Sequence, residues 1–509
     1  MPKRTVMRTR PRIFRWVLPI FIGAIGLALR AVEVISGNYV FGFDQGWNYL
    51  LTREIVVEGK LRLIGAATTG FGGLFHGPGY YYLLAIPYIL FRGDPYGGMI
   101  LIFAAGAISL VLAYVFGAYL FGFIGGTLFL FLFAVSQPFI AQSRLLWSPN
   151  PATPLLLLSL YLFVRAIREE KSHLVPWSLF CAALLYHFHL ALSVPLVITI
   201  LVGIFLWVRK DRRSILRKSA VALVAGYLPA ILFELRHGFP TLDNLLRLGQ
   251  IQSANDHIYS LSAHFLEYWS NFVSSFRFYP VFPTAWMQAP FLLIGVLVLL
   301  ANRRRLAAGT RRILSFFLLL IGITWGIFLF LNNTVWDYYL VPVQIAYLTL
   351  SVYAVREAFS RRDRIHTAVR AVFCMYLLGF AYSGGLELIR SYTDEVRDYG
   401  GTAKIQGLTE AVDFLYADSA GQPFNVIAFT PPVYTYRYDY MFLWYGKNRY
   451  GYVPGNTKEG TVYLLIEPDS TQPWSYAGWL ETVIKDEGKI VYTTSLQNGF
   501  IIQKRIFPY

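Results

Sequence analysis

The sequence predicts a mainly α, polytopic membrane protein with about eleven transmembrane helices, followed by a small C-terminal α/β domain outside the membrane. Three observations carry that expectation. Hydrophobic residues fill 56% of the 509 positions and charged residues only 15%, where a soluble protein carries roughly 25% charged residues. The apolar residues fall in runs of spanning length, about 20 residues each. Against 29 Asp and Glu there are 45 Lys and Arg, a net charge of +16, and the basic surplus lies in short blocks between the runs. Such blocks mark cytoplasmic loops.

At the N-terminus, "MPKRTVMRTRPRIFRW" leads with basic residues into an apolar run from Val17 to Ile35. That run exceeds the core of a secretory signal, so it reads as an uncleaved first helix with its N-terminus in the cytoplasm. Further spans are predicted near 97–117, 119–137, 150–168, 174–190, 192–208, 216–235, 285–301, 312–331, 337–356 and 367–389. The stretch 78–92, "PGYYYLLAIPYILFR", is short and holds Pro87. Basic blocks at 165–171, 209–218, 302–312 and 356–364 fall on one side only if this stretch does not cross. Segments 36–96, 138–149, 236–284 and everything after 390 then lie outside.

Two domains follow: 1–390, spanning the membrane with a first outer loop at 36–78, and an extracytoplasmic α/β domain at 391–509. In the latter, helices are expected at 405–416 and 476–486. Strands are expected at 424–430, 461–466, 490–494 and 499–503. No glycine-rich phosphate loop or nucleophile elbow occurs. Cys181 and Cys374 both lie inside apolar runs, without disulfide or metal spacing. His187 and His189 are two apart, whereas helical metal pairs favour i, i+4. The sequence has no nucleic-acid motif, and no cofactor or metal is expected.

The outer segments hold the polar residues with chemistry to offer. In "YVFGFDQGWNYLLTREIVVEGKLRLIG", Trp47, Leu50, Leu51 and Ile55 recur at helical spacing, predicting a helix over 45–58 that lies in the membrane interface, apolar side down. Asp44 stands where an N-cap would. Downstream come His76 in "GLFHGPGYYYLL", Arg144 and Trp147 in "SQPFIAQSRLLWSPNPATPLL", Glu234, Arg236 and His237 in "FELRHGFP", and Asp337, Tyr338 and Tyr339 in "NNTVWDYYLVP". Plainer roles exist for each: a cap, a headgroup contact, a turn, an aromatic belt.

The order of these features resembles the GT-C glycosyltransferases, in particular the protein mannosyltransferase and aminoarabinose transferase branch. The resemblance covers residues 14–240 and, more loosely, 310–356. It implies an enzyme, a hexosyl- or pentosyltransferase, that moves a sugar from a polyprenyl-phosphate donor to a lipid, glycan or protein acceptor on the outer face. The family's first-loop acidic pair falls on Asp44 and Gln45, so Asp44 alone is carried over as catalytic carboxylate. Its His-Pro-Pro falls on His76, Gly77 and Pro78, and Asn150 takes the place of an Asp that often follows the Arg segment. With those carboxylates replaced, no bound metal is implied. His76, Arg144, Arg236, His237, Asp337 and Tyr338 are the expected substrate-binding residues.

Chemistry supports the same assignment. A carboxylate can take the acceptor's proton during inverting transfer, and the departing phosphate calls for cations or donors such as Arg144, Arg236 and His237. Two rivals come from other classes. A transporter or flippase would bury ionisable residues in mid-membrane, yet the acids here gather in loops and at span ends. An anchored binding protein would give the polar first loop no purpose.

Overall fold

The structure, a computed structural model, describes residues 15–68, 74–246, 306–330, 336–360, 364–431, 434–469 and 471–508, with scattered residues between 262 and 300. The expected span at 285–301 lies almost entirely outside the described residues.

The first apolar run becomes α1 (Val17–Arg30) and α2 (Val32–Ser36), separated at Ala31. Outside the bundle follow α3 (Phe43–Glu58) and α4 (Gly79–Leu90). A 12-residue helix such as α4 rises about 18 Å, short of a hydrocarbon core about 30 Å thick. Next comes α5 (Pro95–Val135), which joins two expected spans. Gly122 separates them with φ 76°, a conformation open to glycine at no steric cost. Small residues let the two halves close on each other: a Cβ on Gly117 would lie 2.5 Å from Phe129 Cβ, and one on Gly126 would lie 2.7 Å from Ala118 Cα. Close approach of this kind replaces the hydrophobic drive that lipid cannot supply.

The bundle continues through α6 (Gln137–Gln142), α7 (Thr153–Arg168), α8 (Leu174–Leu184), α9 (Leu190–Trp207), α10 (Arg212–Gly226), α11 (Leu228–His237) and α12 (Pro240–Leu246). Then come α13 (Ala308–Phe330), α14 (Val341–Ser360) and α15 (Arg364–Thr393). Its core includes Phe116, Phe163, Ile200, Phe317 and Val343, all buried. Six described helices are long and apolar enough to cross a membrane, or seven if α10 and α11, bent by 70°, form one span. The expected eleven is not reached by that measure. Helices α1 and α8 are shorter than a span, and α5 counts once.

After α15 the chain forms α16 (Ile405–Asp418), β1 (Asn425–Phe429), α17 (Tyr436–Met441), β2 (Gly460–Ile466), β3 (Lys489–Ser495) and β4 (Ile501–Phe507). The sheet order is β1-β2-β4-β3, with β1 and β2 parallel and the other pairs antiparallel. All four strands fall near their expected places. The helix expected at 476–486 is regular only over Ser475–Trp479 and continues as a wider turn to Ile484.

One expectation changes in an informative way. The apolar stripe of α3 packs partly against protein, with Leu51 buried and Trp47, Leu50 and Ile55 half-buried. Leu51 and Tyr49 enter a second core with Tyr80, Leu84, Met99, Leu408, Leu415, Tyr440 and Phe500, so the cover comes from α4, the start of α5 and the C-terminal unit. Backbone bonds join the two parts: Phe41 N–H donates to Ala403 and Ile405 N–H to Tyr39. Asn38 Nδ2 donates to the carbonyls of Asp398 and Tyr399, at 3.2 and 3.0 Å. The amphipathic pattern marked Trp47, Leu50, Leu51 and Ile55, yet the more deeply buried face also carries Gln45, Asn48 and Thr52.

Candidate active site

Asp44 is not the N-cap of α3. Gly42 holds that position, and Asp44 sits in the first helical turn, where backbone N–H groups and the dipole favour a carboxylate. The reciprocal cap comes from Gln45, whose Oε1 accepts from Gly42 N–H at 2.9 Å. Its Nε2 donates to the Leu146 carbonyl at 2.7 Å, which fixes the loop that carries Trp147. Gln45 is buried while Asp44 stays open to solvent. Gln45 therefore joins the start of α3 to the loop that carries Trp147, next to Asp44.

Around Asp44 the site draws on several separate elements. The Trp147 side chain lies close enough to the carboxylate to lower its pKa and packs edge-on against Tyr338, with centroids 4.3 Å apart. Tyr338 meets His189 at 5.2 Å, and His189 meets His76 at 4.2 Å. Tyr80 and Tyr81 on α4 both feel the Asp44 charge. Among the described residues the buried Tyr80 hydroxyl has no hydrogen-bond partner. Surrounding protein strips water from the Asp44 carboxyl and raises its pKa, while Trp147 pulls the other way. Among the described residues no ion pair neutralises it. His76 is buried and its pKa is pushed down to about 4 by loss of water. Its Nδ1 accepts from Leu190 N–H at 3.1 Å, so the neutral ring carries its proton on Nε2.

The other expected residues divide. Tyr338 joins the cluster, whereas Asp337 beside it is exposed. Arg144 does not present free donors to a phosphate. Its Nε donates to both Glu33 oxygens, at 2.9 and 2.8 Å, and its Nη2 to Glu395 at 2.7 Å, with Glu387 3.9 Å away. A guanidinium answered by carboxylates on α2, α15 and the turn after it is a clamp between elements. Asn150 Nδ2 donates to the Leu145 carbonyl at 2.6 Å, holding the same loop.

Arg236 and His237 end α11, both exposed. His237 Nδ1 lies 2.8 Å from the Phe233 carbonyl, and Arg236 has no described partner. They stand beside a groove of about 440 Å³ walled by Ile64, Phe75, Tyr186, Leu190, Tyr227 and Phe233. Phe75 precedes His76, so the groove adjoins the histidine side of the cluster.

Arg62 was not singled out from sequence. Burial raises the Tyr81 pKa, Arg62 pulls it down and Asp44 pushes it up, so this cation and the carboxylate both act on one phenol. Arg62 pairs with Glu54 at 2.6 Å, and among the described residues its buried Nε has no partner. The available signal was an arginine in the same loop as Asp44, followed by the Ile64 of the groove wall. Among the described residues, no group of three His, Cys, Asp or Glu is placed to hold a metal ion.

Over nearly its whole length the chain has a fold similar to that of solved GT-C membrane glycosyltransferases. Two structures of ArnT, an aminoarabinose transferase from Cupriavidus metallidurans, match at 13% identity. The apo form has a TM-score of 0.56 over 97% of this chain and 98% of that one. The form bound to undecaprenyl phosphate has a TM-score of 0.53 over 97% of each chain. The Archaeoglobus fulgidus oligosaccharyltransferase in complex with Zn and sulfate has a TM-score of 0.52 at 13% identity, over 96% of this chain and 72% of that one. No protein-family model matches the sequence, and no curated protein matches it either.

Proposed function

We propose that this protein is a glycosyltransferase that moves a sugar from a polyprenyl-phosphate carrier to an acceptor on the outer face of the membrane, with Asp44 as general base. The observation that carries the proposal is the state of Asp44: accessible, partly dehydrated, without a cation, and ringed by aromatic and hydroxyl groups from several outer elements. A base needs that combination, because a salt bridge would quench it and full hydration would leave it weak. In the step envisaged, an acceptor hydroxyl gives its proton to Asp44 as its oxygen attacks the anomeric carbon. The bond from that carbon to the phosphate oxygen breaks, and polyprenyl phosphate leaves with the electron pair. The apolar groove suits a prenyl chain, and the ArnT structure bound to undecaprenyl phosphate makes such a donor the first to try.

Transport finds less support. Arg30 is buried in the bundle, but its guanidinium is held by the carbonyls of Gly26 at 2.8 Å and Ala134 at 2.9 Å. Glu387, the buried acid of α15, faces Arg144. Neither offers a mid-membrane carboxylate for a coupling ion.

The direct test supplies radiolabelled polyprenyl-phosphate sugars, one at a time, to purified protein in detergent. At least one should release polyprenyl phosphate; a complete panel without release sinks the proposal. Within that assay, Arg62→Ala and Arg236→Ala should each raise the apparent donor KM by roughly ten- to a hundredfold, the scale of one charge-assisted hydrogen bond. Lysine at either position should restore part, since it lacks the planar fork. Unchanged donor dependence in both Ala variants removes these cations from the phosphate site.

The same reaction requires the C-terminal unit outside and the N-terminus in the cytoplasm. Alkaline phosphatase fused after Tyr509 should therefore be active. A cytoplasmic reporter active there would put the acceptor face on the wrong side.

A further inference from the structure

Beside Asp44 lies a second aromatic surface that the chemistry above does not use. Phe43 and Trp47 of α3 meet Tyr436 at 5.2 and 4.4 Å between centroids. Tyr434 stacks on Tyr436 at 5.3 Å with their planes 5° apart, and touches Phe43 at 5.8 Å. Packing alone would bury such rings, yet Tyr434 is 57% exposed. The ledge is shared between the first outer loop and the C-terminal unit. It begins at the residue preceding Asp44 and extends one helical turn beyond it.

The geometry points to this ledge as the acceptor subsite, receiving a pyranose ring of a carbohydrate acceptor. Aromatic faces carry partial negative charge and attract the weakly polarised C–H bonds on one side of a sugar ring. Position argues for the acceptor's sugar over the donor's. The prenyl groove lies on the His76 side, walled by α9 and α11, whereas the ledge is built with the C-terminal unit. Inverting transfer brings the nucleophile from the face opposite the leaving phosphate, so the two substrates need different sides of Asp44. The inference rests on the proposed reaction for its direction, but not for the binding itself.

The test measures binding of the full-length protein in detergent to an array of immobilised oligosaccharides, beside an array of unglycosylated peptides. Undecaprenyl phosphate affinity is read in parallel. The parent should bind at least one oligosaccharide. Tyr434→Ala and Tyr436→Ala should weaken that binding roughly tenfold or more, the scale of a lost aromatic contact with its buried area. Tyr436→Phe should keep most of it, and undecaprenyl phosphate affinity should not change in any variant. Absence of oligosaccharide binding, binding to peptides alone, equal binding by the Ala variants, or loss of both ligands together would each overturn the subsite. Oligosaccharide binding by a protein that ignores undecaprenyl phosphate would retain the ledge and reject the donor proposed above.

Discussion

Asp44→Asn should lower sugar transfer by roughly 10²–10⁴-fold, the usual contribution of a positioned general base, while leaving the protein folded. The amide keeps the shape, but it cannot take a proton. Stability separates this from a structural role. The fold raises the Asp44 pKa by desolvation, so it favours the protonated carboxyl. The stability this group contributes is present below its unfolded pKa and is lost as pH rises through the raised folded value. At neutral pH the ionised side chain is therefore a mild burden, and Asn should melt no lower than the parent. The same shift places the acid limb of kcat/KM above the ordinary aspartate range. Full activity in Asp44→Asn, measured as release of polyprenyl phosphate, would end the base assignment. A silent result would leave Asp44 as a first-turn residue of α3 with no part in the chemistry.

Much of this architecture was legible because local rules decide it. Apolar runs of spanning length marked the bundle, and short runs rich in β-branched and aromatic residues marked β2 and β4, whose residues pair from Ile466 with Ile501 to Gly460 with Phe507. Where long-range partners decide, the sequence was silent. Arg144 looked like a free outer-face cation, yet its carboxylates come from 111 residues before it and 251 after it. Nothing local to "SQPFIAQSRLLW" announces them. The apolar stripe of α3 is only half covered, with Leu51 alone of its residues buried, while Gln45, Asn48 and Thr52 on the polar faces are buried. Its cover includes α17, a short helix in the aromatic stretch "YTYRYDYMFLWYG", which has no clean helical period. Arg62 resembled an ordinary loop cation, and its charge, like that of Asp44, acts on Tyr81.

The contact that brings these parts together also sets the sharpest structural expectation. Gly46 lies within α3, where alanine is the better helix former by about 0.8–1.0 kcal/mol, so local propensity says that Gly46→Ala should stabilise. Packing says the reverse. A Cβ at this position would meet the backbone of α17, 2.5 Å from Arg437 Cα and 2.6 Å from the Tyr436 carbonyl carbon, where carbon atoms rest about 3.5–4.0 Å apart. Backbone cannot swing aside as a side-chain tip can. Overpacking costs about 1–3 kcal/mol and sometimes more, which outweighs the propensity gain. Helix α17 must therefore retreat, taking Tyr436 from Trp47 and Tyr440 from Tyr49, whose centroids are now 4.4 and 5.0 Å apart. The expected result is faster proteolysis of the chain after 390, a lower melting temperature, and transfer reduced by a hundredfold or more as the ledge and the covered α3 separate. Gly478→Ala, with nothing within 4 Å of the added carbon, should leave all three readouts near the parent. If Gly46→Ala instead melts higher and resists protease as well as Gly478→Ala does, α3 and the C-terminal unit are not packed together in solution, and neither the ledge nor the covered site exists there.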